Sequence, residues 1–197
     1  MLKVTTIQYK MKIGMNNPMR VQCTDSEQYV MKCINRSTNG KALFNELIAA
    51  RFANIIGVPT PDFTIGTLSQ AIINKNENLL DYEFKPGKCF LSKFVSGTAF
   101  GINSIVAKQM KNIDIVPNLI FFDAILMNSD RATNRGNWFF TRGSKLIALD
   151  HTNIFKIAQI WDKYSLNQAK EVPPLIIDEL HDESYSILAN QYKNGRL

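Results

Sequence analysis

The sequence predicts an α+β fold of two small lobes, an antiparallel sheet with one helix followed by a mainly helical half. Three observations carry this. Residues 3–34 hold three strand-like runs, separated by Gly14-Met15-Asn16-Asn17-Pro18 and Thr24-Asp25-Ser26-Glu27, polar turns of the kind that join antiparallel neighbours. Residues 41–56 then repeat apolar side chains at helical spacing. Residues 116–127 and the tail are again helix-like, with a hairpin over 138–149. At 197 residues the chain suits one domain, or two small lobes sharing a cleft. The boundary is expected where the strand over 89–95 runs into Ser96-Gly97, giving an N-terminal lobe of residues 1–95 and a C-terminal lobe of 96–197.

In the first lobe, KVTTIQYKMKI (3–13) alternates well enough for a strand, MRVQC (19–23) gives a second, and QYVMKCI (28–34) a strong third. There Lys32 shares a face with Val30 and Ile34, while Tyr29, Met31 and Cys33 line the other. A lysine in a strand apolar on both faces needs a partner, because an unpaired ammonium is costly to bury; an edge strand that lets it snorkel to solvent is the plain alternative. The next helix offers a partner. Phe44, Leu47, Ile48, Phe52 and Ile55 set its period, and Gly57, Pro59 and Pro61 end it. Glu46 falls among Ala42, Ala49, Ala50 and Ala53, small residues that let a helix lie close to a sheet. Residues 62–73 read as another strand pair (Phe63-Thr64-Ile65 and Ala71-Ile72-Ile73), and 74–87 as polar loop.

In the second lobe, residues 103–112 read as a helix and 116–127 as an apolar one, broken only by Asp123. A polar loop follows, Asn128-Ser129-Asp130-Arg131-Ala132-Thr133-Asn134-Arg135-Gly136-Asn137. Trp138-Phe139-Phe140-Thr141 and Lys145-Leu146-Ile147-Ala148-Leu149 form the hairpin, hinged at Arg142-Gly143-Ser144, and it ends on Asp150 and His151. Residues 154–164 and 178–192 are helix-like, with Pro173-Pro174 between them.

Composition narrows the chemistry. With only His151 and His181, a histidine-built zinc site or triad is not expected. Cys23, Cys33 and Cys89 are odd in number and lack CxxC spacing, which reads as reduced thiols in a cytoplasmic protein. The N-terminus lacks a signal-like apolar run, and the longest apolar stretch is interrupted by Pro117, Asn118 and Asp123, so no membrane partner is expected. The net charge of +6 comes from scattered Lys and Arg, without the usual DNA or RNA motifs, so nucleic acid is not expected either.

Taken singly, Asp130 closes a helix as a cap-and-turn residue and Asp150 caps the next segment. Taken together they form a layout that phosphoryl transfer needs: a buried helix delivers one carboxylate, and a hairpin returns a second beside it. That reaction asks a protein for positioning and for neutralised phosphate oxygens. Asp130 would accept or orient the proton of an attacking hydroxyl. Asn137 (or Asn134) and Asp150 would hold magnesium, a hard cation that prefers oxygen ligands. Lys32, aimed by Glu46, would meet nucleotide phosphates, and the strand carrying Lys93, Phe94 and Val95 is where adenine would dock by backbone hydrogen bonds.

EQYVMKCINRSTNGKALFNELIAARFANIIGVPTPDF resembles the N-lobe segment of HipA-like kinases of the compact standalone kind. These carry a YVxK strand, a polar loop, a NEL-containing helix and a G-[LV]-P-x-P stop. FFDAILMNSDRATNRGNWFF with LIALDHTNIF resembles their D-x-[LI]-x-x-N-x-D-R loop and D-H strand end, and more distantly the catalytic loop of phosphatidylinositol 3-/4-kinases. The likeness covers roughly residues 10–155. It implies a small bilobal protein-kinase-like fold that binds ATP and magnesium between its lobes and moves the γ-phosphate to a Ser or Thr hydroxyl, on a protein or on itself. Carried over, Lys32 contacts the phosphates, Glu46 orients it, and Asp130 is the catalytic carboxylate. Asn137 and Asp150 bind metal, and Arg131 is a structural or phosphate-facing member of the loop. Gly14, Asn16 and Asn17 stand where relatives carry a Gly/Ser-rich phosphate loop.

Three departures keep an alternative open, a nucleotide-binding pseudokinase or regulatory module without transfer. The phosphate loop has one glycine, Asn137 lies seven positions after Asp130 rather than five, and the C-terminal region is short. A kinase of a small molecule or lipid head group is a further reading. Neither the substrate nor a regulatory protein partner is legible in these residues.

Overall fold

A computed structural model describes residues 1–12, 16–99, 101–128, 130–155 and 183–195. The chain divides into two compact units, Met1–Leu47 with Pro61–Val95, and Ile48–Thr60 with Ser96–Leu197.

In the first unit, β1 (Leu2–Lys10), β2 (Met19–Cys23), β3 (Gln28–Cys33), β4 (Phe63–Leu68) and β5 (Gly87–Lys93) close into a barrel in the order β1-β2-β3-β5-β4. The antiparallel sheet expected from the sequence accounts for four of the pairings. The fifth is parallel, Leu2 and Lys3 of β1 lying beside Gly66 and Thr67 of β4. Strand alternation puts Val4, Met19, Val21, Tyr29, Met31, Cys33, Cys89 and Leu91 inside. Complete burial of side chains such as Met31 and Leu91 stabilises by about 1.5–3 kcal/mol each.

Two segments differ from the sequence reading. Ala71-Ile72-Ile73 is not a strand but part of a short helix, α2 (Gln70–Ile73), after α1 (Gly40–Ile56) in the chain; the Ser69 hydroxyl caps it by accepting from Ile72 N at 3.3 Å. A short apolar run fits helix or strand by period, and here the cap decides. The polar stretch after it holds α3 (Glu77–Asp81), capped by Asn76. Ile73 and Leu79 thereby join the barrel core.

Helix α1 starts on an Asn39 cap, whose Oδ1 accepts from Ala42 N at 3.0 Å. It ends where Gly57 turns left-handed (φ 74°) and Val58 N reaches back to Ala53 O at 2.9 Å, the closure that a glycine just past a helix permits. Its buried face is the small one, with Ala42, Glu46, Ala49, Ala50 and Ala53 all inside. Phe44 and Ile55, part of the apolar period, are 43% and 80% exposed.

In the second unit, β6 (Gly97–Ala99), β7 (Trp138–Thr141) and β8 (Leu146–Ala148) form a small antiparallel sheet. Gly97 is needed there, because a Cβ would run into the Phe140 carbonyl and the Phe139 ring. Helices α4 (Ser104–Gln109), α5 (Val116–Ile125), α6 (Asp130–Thr133) and α7 (Glu183–Asn194) complete its described part, with the end of α1. Their core includes Leu119, Phe122, Trp138, Leu146, Ile154 and Leu188, and Phe52 stacks on Phe122 at 5.9 Å. The helix expected over 154–164, beyond Phe155, and the first residues of that over 178–192 lie outside the described residues.

Candidate active site

In the first unit the register explains why Lys32 does not enter the barrel. Its neighbours Met31 and Cys33 point inward, so Lys32 points outward, beside Phe90 of β5. Lys32 Nζ donates to Glu46 Oε1 at 2.6 Å, and the two side chains are only 10% and 5% exposed. The strand lysine and the helix glutamate therefore form a buried ion pair. Such a pair adds little net stability, because desolvation offsets the attraction, but losing one partner is costly. It holds the ammonium in one place.

The β1–β2 loop is anchored at its far end. Asn16 O accepts from Asn35 Nδ2 and Thr38 Oγ1, both at 3.1 Å. Asn17 is buried with left-handed backbone (φ 52°), and its Nδ2 faces Ser37 Oγ at 3.4 Å. These contacts seat the loop on the turn after β3. Gly14 lies outside the described residues.

At the end of β5, Lys93 N donates to Asp62 O at 2.6 Å and Phe94 N to Gln28 O at 2.9 Å. These two donors, on the strand expected from the sequence to dock adenine by backbone hydrogen bonds, bond within the unit. Lys93 Nζ pairs with Glu27 at 3.3 Å on the surface, and the Phe94 ring lies 3.7 Å beneath the Arg20 guanidinium.

In the second unit, α5 ends as Met127 turns left-handed (φ 51°) and Asn128 N bonds back to Asp123 O at 2.8 Å. The chain re-enters a helical turn at Asp130, so the predicted loop is the short α6 followed by a 3₁₀ turn, Arg135–Asn137. This brings the two candidate residues together: Asn137 Nδ2 donates to Asp130 Oδ2 at 3.0 Å. An ionised carboxylate only accepts, so the amide must present nitrogen to it and turn Oδ1 away. Asn134, the rival ligand, is exposed, and its Oδ1 accepts from Gly136 N at 2.9 Å. Asp150 is partly exposed at the end of the hairpin, with left-handed backbone (φ 55°), and accepts from Thr152 Oγ1 at 3.1 Å.

Arg131 binds this loop together from inside, at 1% exposure. Its Nε donates to Asp123 Oδ2 at 2.7 Å, its Nη1 to the carbonyl of Asn137 at 2.8 Å, and its Nη2 meets His151 Nε2 at 3.0 Å. A guanidinium has no acceptor, so His151 Nε2 accepts and the neutral ring carries its proton on Nδ1. Burial opposes the charge on Arg131. Asp123, with Tyr185 and Asp130, outweighs it and holds the guanidinium above its ordinary range.

Asp123 was visible in the sequence only as the single charge in an apolar helix. It accepts from Arg131, from Asn128 Nδ2 at 2.7 Å and from Tyr185 Oη at 2.9 Å. Tyr185, on α7, gave no local signal.

Among the described residues no three His, Cys, Asp or Glu side chains gather into a metal site. Asn137 and Asp150 still fit magnesium in kind. Both are oxygen donors, and this ion takes one or two protein ligands beside phosphates and water.

A sequence profile of HipA-like kinases matches residues 4–164. The chain belongs to the HipA-like kinase family. Among solved structures it is similar to the crystal structure of a Helicobacter pylori proinflammatory kinase, CtkA, with a TM-score of 0.50 and 17% identity, over 85% of this chain and 68% of that one. At that identity the likeness speaks for a shared fold. No curated protein matches the chain.

Proposed function

We propose that this HipA-like protein is an ATP-dependent kinase that transfers the γ-phosphate to a Ser or Thr hydroxyl, on a protein or on itself. The observation that carries the reading is the Asp130–Asn137 contact at 3.0 Å beneath a buried Arg131, since it joins a candidate base to a candidate metal ligand. In the proposed reaction the acceptor hydroxyl gives its proton to Asp130 as its oxygen bonds to the γ-phosphorus. The bond from that phosphorus to the β–γ bridging oxygen breaks, and ADP leaves. Lys32, fixed by Glu46, would neutralise phosphate charge, and the loop through Asn16 and Asn17 would offer backbone groups to the phosphates. Residues 1–95 would form the nucleotide lobe and 96–197 the catalytic lobe. Asn137 and Asp150 would hold magnesium, which when bound offsets charge on the phosphate oxygens. Buried, unbridged thiols at Cys23, Cys33 and Cys89 suit a reducing cytoplasm.

Asp150→Asn tests the reading without a known substrate. ATP with magnesium should raise the melting temperature of the wild type and leave that of the variant unchanged. Equal stabilisation of both would remove Asp150 from the metal site. Stabilisation of the wild type without any transfer would favour a nucleotide-binding module.

A further inference from the structure

We propose that Tyr185, on the C-terminal helix α7, is a positioning residue for the loop carrying Asp130 and Asn137, acting through Asp123 and Arg131. The proposal rests on the kinase reading above. Tyr185 Oη donates at 2.9 Å to Asp123 Oδ2, the oxygen that also accepts Arg131 Nε at 2.7 Å. The other carboxylate oxygen accepts from Asn128. Asp123, Arg131 and Tyr185 are each 2% exposed or less. A carboxylate stripped of water needs its lone pairs filled, and each donor on it limits where the others sit. Arg131 is held at one end by this carboxylate, and at the other it grips the carbonyl of Asn137. Through these two residues the hydroxyl of Tyr185 helps to set the position of a candidate magnesium ligand. Its ring stands edge-on to Trp138, the residue after Asn137, at 5.3 Å. Substitution by phenylalanine keeps that packing and removes only the hydroxyl.

The test is calorimetric titration of ATP into the full chain over a series of magnesium concentrations, with melting temperatures measured alongside. Tyr185→Phe is expected to raise the magnesium needed for half-maximal ATP binding about tenfold, the scale on which supporting partners of a metal ligand act, and to lower the melting temperature by a few degrees, because the buried carboxylate of Asp123 loses a donor. A merely structural role would lower the melting temperature and leave the magnesium dependence of the folded protein unmoved. Asp123→Asn should show the same defect, and the double variant should be little worse than Asp123→Asn alone, because the hydroxyl acts through that carboxylate. Wild-type binding with an unaltered magnesium dependence in Tyr185→Phe would overturn this inference alone. So would additive effects in the double variant. Absence of magnesium-dependent ATP binding by the wild type would overturn the kinase reading, and the inference with it.

Discussion

Asn137 Nδ2 donates to Asp130 Oδ2 at 3.0 Å, while the backbone carbonyl of Asn137 accepts from Arg131 at 2.8 Å. One residue is thereby fixed from two sides, by the candidate catalytic carboxylate and by the arginine that follows it in sequence. Asn134 instead serves a local turn through Gly136 N.

This contrast predicts opposite outcomes for two alanine substitutions. Asn137→Ala should weaken magnesium-dependent ATP binding by at least about tenfold. Asn134→Ala should leave it near the wild-type value. Titration of magnesium at fixed ATP separates them, and a larger loss in Asn134→Ala would reverse the assignment.

The Lys32–Glu46 pair predicts a pattern in stability. Lys32→Met or Glu46→Gln alone should cost about 3–5 kcal/mol, because each breaks a buried ion pair from one side. Replacing both by Met should recover much of that loss while ATP binding stays impaired. Denaturant unfolding measures the first part, and nucleotide titration of the folded double variant the second.

The thiols set a prediction in pH. Burial pushes Cys33 up to about 11 and Cys89 to about 12; burial, with Asp25, pushes Cys23 to about 11. Each folded value lies above the ordinary value of 9.0, so the fold favours the neutral thiol. Their contribution to stability is present below pH 9.0 and is lost as pH rises through about 11 to 12. Denaturation midpoints measured across this range should fall steadily. At neutral pH, alkylation by iodoacetamide should be far slower in the folded protein than in the unfolded one.

Gly97→Ala should destabilise by about 1–3 kcal/mol, since the new methyl meets the Phe140 carbonyl and the Phe139 ring. Gly143→Ala is the control, with ordinary contact at 3.7 Å to Thr141 Oγ1. Thermal melts of the two variants compare them directly.

Much of this arrangement was written locally. Alternation in β3 put Lys32 on the face opposite Met31 and Cys33, the alanines of α1 marked the face that carries Glu46, and Gly57 with Pro59 marked the helix stop. The loop after α5 and its returning hairpin offered Asp130, Asn137 and Asp150 as candidates, of which the structure joins the first two by a hydrogen bond. What escaped depends on partners distant in sequence. The parallel closure of β1 on β4 joins Leu2 to Gly66, and Tyr185 reaches Asp123 across 62 positions. A hydrogen bond of that reach leaves no periodic trace. Asp123 was conspicuous as a lone charge, but a lone charge does not name its donors. The backbone bonds of Lys93 N to Asp62 and of Phe94 N to Gln28 left no local trace for the same reason, since they form only once the barrel closes.

The most direct measurement is incubation of the purified protein with γ-labelled ATP and magnesium, with Asp130→Asn alongside. Label is expected on the wild type, at least about 100-fold less on the variant, with ATP binding retained by both. Equal labelling of the two proteins would contradict the role assigned to Asp130, and the absence of both label and ATP-induced stabilisation in the wild type would contradict the kinase reading itself.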